Sequence, residues 1–196
     1  MAASNELTKA IDGLTSENQA VRTKAAERVF RNGRDLALRA TDKWWSDAEL
    51  APLLFGDGRE VTVGVAVGRE KFAKIRAANG VARLAEVPSE QDAEEFELHF
   101  ADGVSLDILT SRAPGGDGAI AKYLVKFEEG VQQVEFRCAD VGRATEILKE
   151  KFGVKPVYPE TRSGADGTRV NFFLLGLPDK GGKILIELYE KPQASS

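Results

Sequence analysis

The sequence predicts an α+β fold in which a helical N-terminal segment precedes two βαβββ copies. Three observations point to it. Apolar residues in the first 55 or so positions recur at helical spacing. Beyond them the pattern changes to two-residue alternation, and the order strand, helix, three strands then occurs twice.

In the N-terminal segment, Leu7, Ala10, Ile11 and Leu14 follow the i, i+3, i+4, i+7 rule. "TSENQAVRTKAAERVF" opens with a capping-box pattern, Ser16 three residues before Gln19, and buries a stripe of Ala20, Val21, Ala25, Val29 and Phe30. "RNG" then reads as a stop at Gly33. "RDLALRATDKWW" is a third helix and "SDAELAPLL" a short fourth ending near Pro52. "SENQAVRTKAAERVFRNG" resembles one unit of a HEAT-type helical repeat, which alone cannot bury its own face. It must lie on the rest of the chain or on a partner. Trp44 and Trp45, its largest apolar groups, are either packing or a recognition patch.

"VTVGVAV" (61–67) begins the strand region, followed by a helix over about 69–79 that stops at Asn79-Gly80. "VARLAEV" (81–87), "EFELHF" and "VSLDILT" are the next three strands. A three-residue "ADG" loop with Gly103 left-handed pairs Phe100 with Val104 and Leu98 with Leu106, which makes one face wholly apolar. Glu97, His99, Ser105 and Asp107 then share the other face, with Glu97 opposite Asp107 and His99 opposite Ser105. The second copy runs from "VQQVEFRC" (131–138) through the helix "DVGRATEILKEKF", opened by Asp140, to "VKPVY" (154–158). After the Gly-rich loop "ETRSGADG" it closes with "TRVNFFLL" and "KILIELYE". A Gly/Pro linker joins the copies and leads into a helix on which Ile120, Leu124 and Phe127 share a face. The expected division is a helical extension at 1–58 and a two-copy domain at 59–192. Its parts are 59–111, a linker helix at 112–129, and 130–192.

Composition excludes several classes of function. The 196 residues include 31 Asp+Glu and 27 Lys+Arg, a net charge of −4 spread evenly along the chain. No basic face is concentrated enough to argue for nucleic acid. No apolar run approaches the ~20 residues of a membrane span, and the start has no signal-peptide core. Cys138 is the only cysteine, which excludes an internal disulfide and a Cys-rich zinc site. His99 is the only histidine, which excludes schemes needing two. A reducing cytoplasm is the expected location.

"GAIAKYLVKFEEGVQQVEFRCADV" and "ETRSGADGTRVNFF…GGKILIELYEKP" resemble the vicinal oxygen chelate superfamily of glyoxalases and bleomycin-resistance proteins, and most of all its methylmalonyl-CoA epimerases. The resemblance covers the linker helix and nearly all of the second copy, matches the first in layout, and leaves out residues 1–58. It implies a curved eight-stranded mixed sheet with helices on the convex side and a small-molecule cleft on the concave side. It also implies a divalent cation (Mg, Mn or Co) on four strand positions, two of them usually histidine. Those positions are here Thr62, Gln133, Asp107 and Glu187, so both histidines are replaced.

Strand alternation supports these placements independently. Val134, Phe136 and Cys138 form an apolar face that leaves Gln133, Glu135 and Arg137 on the other. Ile184, Ile186 and Leu188 likewise leave Leu185, Glu187 and Tyr189. Three functions remain open. One is a metal-free cleft for a carbonyl, carboxylate or acyl-CoA compound, lined by Arg137, Phe173, Tyr189 and Leu185, with His99 and Thr62 in reach. Another is a proton-transfer enzyme with a hard cation on Asp107, Gln133 and Glu187, and with Glu187 and Glu90 as acid/base groups. The last is a non-catalytic interaction protein. The partners expected are thus a small molecule, and either a second copy of the chain or a protein held by the N-terminal helices.

Overall fold

The computed structural model of the chain describes residues 2–56, 60–178 and 182–192, with side chains from Asn5 onward. The middle of the "FGDGRE" loop, where the 58/59 division was expected, lies outside the described residues. The architecture is α+β with mixed strand pairing. The chain groups into two compact units, one of residues 1–33 with 62–132 and one of 34–61 with 133–196.

In the first unit the strand order is β2-β3-β1, from β1 (Val61–Ala66), β2 (Glu94–His99) and β3 (Ser105–Thr110). β1 runs parallel to β3, with Thr62 opposite Ser105 and Gly64 opposite Asp107. Every residue of β1 is buried, which explains its valine-rich composition on a strand covered on both sides. β2 and β3 pair antiparallel in the expected register, Glu97 opposite Asp107 and His99 opposite Ser105. The "ADG" turn that sets this register has Gly103 at φ 73° and also Asp102 at φ 59°, while the Phe100 N–H donates to Val104 O at 2.9 Å. Aspartate tolerates the left-handed region better than most side chains.

The unit also holds the helices α1 (Ala2–Gly13), α3 (Arg69–Ala78) and α4 (Ala119–Phe127). Lys71 of α3 bridges Asp12 of α1 and Glu129, which also accepts the Gly68 N–H. Asn79 accepts from Arg22 Nε at 3.1 Å and donates to Leu14 O at 3.2 Å. On α4, Ile120 is buried with Ala66, Ala93 and Leu109, and Leu124 packs against that cluster. Phe127, expected on the same face, is 59% exposed.

α2 (Gln19–Ala40) departs from expectation at both of its supposed signals. Its first turn is capped by Asn18, whose Oδ1 accepts from Ala20 N at 2.9 Å and Val21 N at 3.4 Å. Ser16 instead accepts from Asn18 N. The helix does not stop at Gly33 but continues to Ala40. Gly33 is required there because a Cβ would stand 2.5 Å from Val63 Cγ1.

In the second unit the order is β4-β7-β6-β5, from β4 (Gly130–Arg137), β5 (Arg162–Ser163), β6 (Arg169–Gly176) and β7 (Lys183–Glu190). β4 is parallel to β7, and β7–β6 and β6–β5 are antiparallel. The helix α5 (Val141–Phe152) starts on Asp140, which accepts from Arg143 N at 2.9 Å, and ends on left-handed Gly153. It buries Val141, Ala144, Thr145, Ile147 and Leu148. The end of the helical segment packs here too. Trp44, 3% exposed, meets Phe173 edge-on at 6.1 Å, and Trp45 meets Phe136 at 5.3 Å. A second "ADG" turn, residues 165–167, repeats the signature with Asp166 at φ 50° and Gly167 at φ 73°.

The described residues form seven strands, against the eight expected. "VARLAEV" is not a strand. It begins at Val81 with φ 55°, and its Ala85 N–H reaches β2 at Glu95 O. "VKPVY" makes only an isolated bridge, Pro156 to Phe173, and a bond from Val157 N to Phe172 O. Proline cannot donate to a ladder, so a longer pairing is blocked there. The short β5 forms instead, inside the expected loop. Among the described residues no helix is long and apolar enough to cross a membrane.

Candidate functional site

The second unit carries a polar face whose rows follow from strand register. Val134 and Phe136 on β4, Ile184, Ile186 and Leu188 on β7, and Phe173 on β6 fill the core side. What alternation leaves on the other side falls into three rows across the strands. Arg137 lies opposite Tyr189, Tyr189 opposite Val170, and Val170 opposite Arg162. One step along, Glu135 lies opposite Glu187, and Glu187 opposite Phe172. A further step brings Gln133, Leu185 and Leu174 into line.

The acidic row is held together by Gln133. Its Nε2 donates to Glu187 Oε2 at 2.7 Å and to Glu135 Oε1 at 3.1 Å. Gln133 and Glu135 are 7% and 9% exposed. Buried polar groups of this kind are tolerated only when hydrogen-bonded, and the amide supplies one donor to each carboxylate. Arg137 stacks its guanidinium over the Phe55 ring at 4.5 Å, while the Phe55 N–H donates to Arg137 O at 3.1 Å. Such stacking fixes a guanidinium while leaving its edge for planar anions. Arg162 stacks on Tyr158 at 4.3 Å, and Tyr158 meets Phe172 edge-on at 6.0 Å.

Phe173 does not belong to this face, contrary to expectation. It is fully buried, opposite Ile186, beneath Trp44. Phe172 takes its place beside Glu187, and the half-exposed Leu174 follows. Neither Phe172 nor Glu135 was assigned a role by sequence reasoning. Alternation already put Glu135 on this face, but its meeting with Glu187 depends on the non-local β4–β7 register. Cys138 sits among core residues, and burial pushes its thiol up to about 11, far from a nucleophile's range.

The first unit has its own polar face. Thr62 and Asp107 are 8% and 5% exposed, and His99 stands beside them on the β2–β3 hairpin. The His99 ring contacts Ser105 Oγ through Nδ1 at 3.1 Å and Glu97 Oε2 through Nε2 at 3.0 Å. Its side chain is 66% exposed. Glu90 is exposed on the turn closed by Gln91 N to Pro88 O, apart from any strand.

The donors on the β4–β7 face do not fit the divalent cation that the resemblance implies. A ligating amide presents its oxygen to the ion, whereas Gln133 presents its nitrogen to both carboxylates. Among the described residues, no group of three or more His, Cys, Asp or Glu side chains is placed to hold a metal ion.

Solved structures resemble this chain over most of its length. The methylmalonyl-CoA epimerase of Mycobacterium tuberculosis is 26% identical, with a TM-score of 0.56, over 75% of this chain and 93% of its own. A variant of the Streptomyces coelicolor methylmalonyl-CoA epimerase, in complex with 2-nitronate-propionyl-CoA, is 29% identical (TM-score 0.53) over 69% and 98%. A methylmalonyl-CoA epimerase in complex with methylmalonyl-CoA and NH4+ is 30% identical (TM-score 0.52) over 68% and 94%. No family model and no curated protein matches the chain.

Proposed function

Because the chain belongs to the family of the methylmalonyl-CoA epimerases, within the vicinal oxygen chelate superfamily, we propose that it binds a carbonyl- or carboxylate-bearing small molecule of the acyl-CoA class on the β4–β7 face. The observation that carries this is the acidic row, in which the buried Gln133 holds the buried Glu135 and the half-buried Glu187 side by side. Folding alone is served by an apolar row at these positions, and a buried Glu135 beside a half-buried Glu187 is a cost that a binding role explains. Arg137 offers a planar cationic edge to a carboxylate or thioester oxygen. Tyr189, Phe172 and Leu185 supply apolar wall.

Calorimetric titration with methylmalonyl-CoA, propionyl-CoA, free CoA and methylmalonate tests this. An acyl-CoA is expected to bind saturably, and Arg137→Met or Glu187→Gln to weaken it about tenfold, roughly 1.4 kcal/mol. Wild-type binding of none of the four would refute it. Asp107→Asn, Thr62→Ala and His99→Ala test in the same titration whether the first unit's polar residues contribute.

Proton transfer is the second function to consider, favoured by the 30% identical epimerase in complex with methylmalonyl-CoA. Epimerisation requires a carboxylate that takes the α-proton and a carboxylic acid that returns one to the opposite face of the carbon. The electron pair of the broken C–H bond moves meanwhile onto the thioester oxygen. Glu187 and Glu90 are the acid/base candidates. Solvent deuterium entering the α-carbon of methylmalonyl-CoA, and lost in Glu187→Gln, would establish it; no exchange would leave binding alone.

A further inference from the structure

A cation between two carboxylates neutralises them and fixes their spacing. On the β4–β7 face that place is taken by an NH2 group, with one N–H for Glu187 at 2.7 Å and one for Glu135 at 3.1 Å. An incoming ion would require the Gln133 amide to turn and present its oxygen, giving up both bonds. Glu135 is as much a part of the arrangement as Gln133. It lies opposite Glu187 in the register and is 9% exposed, so a buried and a half-buried carboxylate are held at neighbouring positions. The sole histidine, the side chain best suited to a transition metal, is engaged on the other unit's hairpin with Glu97 and Ser105.

We propose that the Gln133 amide replaces a metal ion at this face, and that the protein binds its ligand without one. The second clause rests on the ligand-binding function proposed above; the first stands apart from it.

The experiment uses the full chain, stripped with EDTA and desalted. Mn2+ is titrated while free ion is followed by electron paramagnetic resonance, and melting is recorded in EDTA and in Mn2+. Wild type is expected to show no saturable Mn2+ uptake and the same melting temperature in both. Gln133→Glu keeps the size of the side chain but turns the bridging donor into a third carboxylate. It is expected to melt lower in EDTA and to recover with Mn2+, taking up one equivalent. Stoichiometric uptake by wild type, lost in Glu187→Gln, overturns the proposal, as does a folded Gln133→Glu variant indifferent to Mn2+. Should Gln133→Glu not fold, the wild-type titration decides alone. Repeating the acyl-CoA titration in EDTA separates the two clauses. Binding in EDTA upholds the second clause, and binding only with Mn2+ overturns it. Absence of binding under either condition defeats the ligand-binding function, while the Mn2+ result still decides the first clause.

Discussion

Replacing Gly33 by alanine sets two known effects against each other. Gly33 lies inside the 22-residue helix α2, where alanine is favoured by about 1 kcal/mol. Its new methyl, however, would stand 2.5 Å and 3.0 Å from the two γ-carbons of Val63 and 3.3 Å from Val131 Cγ1. Val63 is fully buried on a strand with no exposed residue, so it has little room to yield. Overpacking of this kind costs about 1–3 kcal/mol, and the upper part of that range applies. Gly33→Ala is therefore expected to lose about 1–2 kcal/mol net. Val63→Ala alone removes two methyl carbons at about 0.8 kcal/mol each and leaves a small cavity, in all about 2 kcal/mol. In the double variant the added methyl occupies space that Val63 vacated. The pair should then be more stable than the sum of the singles by about 1.5–2 kcal/mol, well beyond the scatter of independent sites. Urea unfolding with unchanged m-values measures all three. A stabilised Gly33→Ala, or strictly additive effects, would refute the close helix–strand approach.

Lys71→Met should cost about 1 kcal/mol at pH 7, after screening at the more exposed Asp12 is allowed for. Burial lowers the Lys71 pKa, but the bonds to Asp12 and Glu129 outweigh it, so the ammonium titrates above its ordinary 10.5. The stabilisation is thus complete below that value and lost as pH rises through the raised one, so wild type and variant should converge in alkaline melts. Trp44→Ala removes a side chain 3% exposed and should cost about 3–5 kcal/mol, with loss of near-ultraviolet dichroism. A variant with native stability would point to a surface role for the indole. The Cys138 thiol, raised by burial from 9.0 to about 11, should resist iodoacetamide at mildly alkaline pH until the protein unfolds. The same shift predicts stability falling between those two pH values, because the unfolded thiol ionises first.

Much of the site was legible because strand alternation is local. The hydrophobic pairing of Leu98 with Leu106 and of Phe100 with Val104 identifies the β2–β3 register, and Val134 and Phe136 define the side of β4 on which Gln133, Glu135 and Arg137 stand. "NFFLL" offers no such contrast, since Phe172 and Leu174 stand on one side and Phe173 and Leu175, with the polar Asn171, on the other. Only the pairing with β7 assigns Phe172 to Glu187 and Phe173 to the core. "VARLAEV" is mostly apolar yet forms no strand, because a strand also needs a ladder partner and the composition does not disclose one. Gly33 misled for another reason. Glycine serves both as a left-handed stop and as a point of close approach, and a single sequence does not separate the two uses.

The rows on the β4–β7 face also constrain how an acyl-CoA would lie. Neighbouring rows are two residues apart along each strand, roughly 7 Å. The row with Arg137 and Arg162 at its ends attracts phosphate or carboxylate, while Glu135 and Glu187 in the next repel them. An anionic group or a carbonyl oxygen therefore belongs with the arginines, and an acidic C–H belongs beside Glu187. The apolar end of the ligand then reaches Leu185 and Leu174. In that orientation a free dicarboxylate such as methylmalonate places its second charge against the acidic row, whereas a thioester of the same acid need not. The acyl-CoA should accordingly bind more tightly than the free acid by more than its extra contacts explain. Glu187→Gln, which removes one of the repelling charges, should narrow that difference in the same titration.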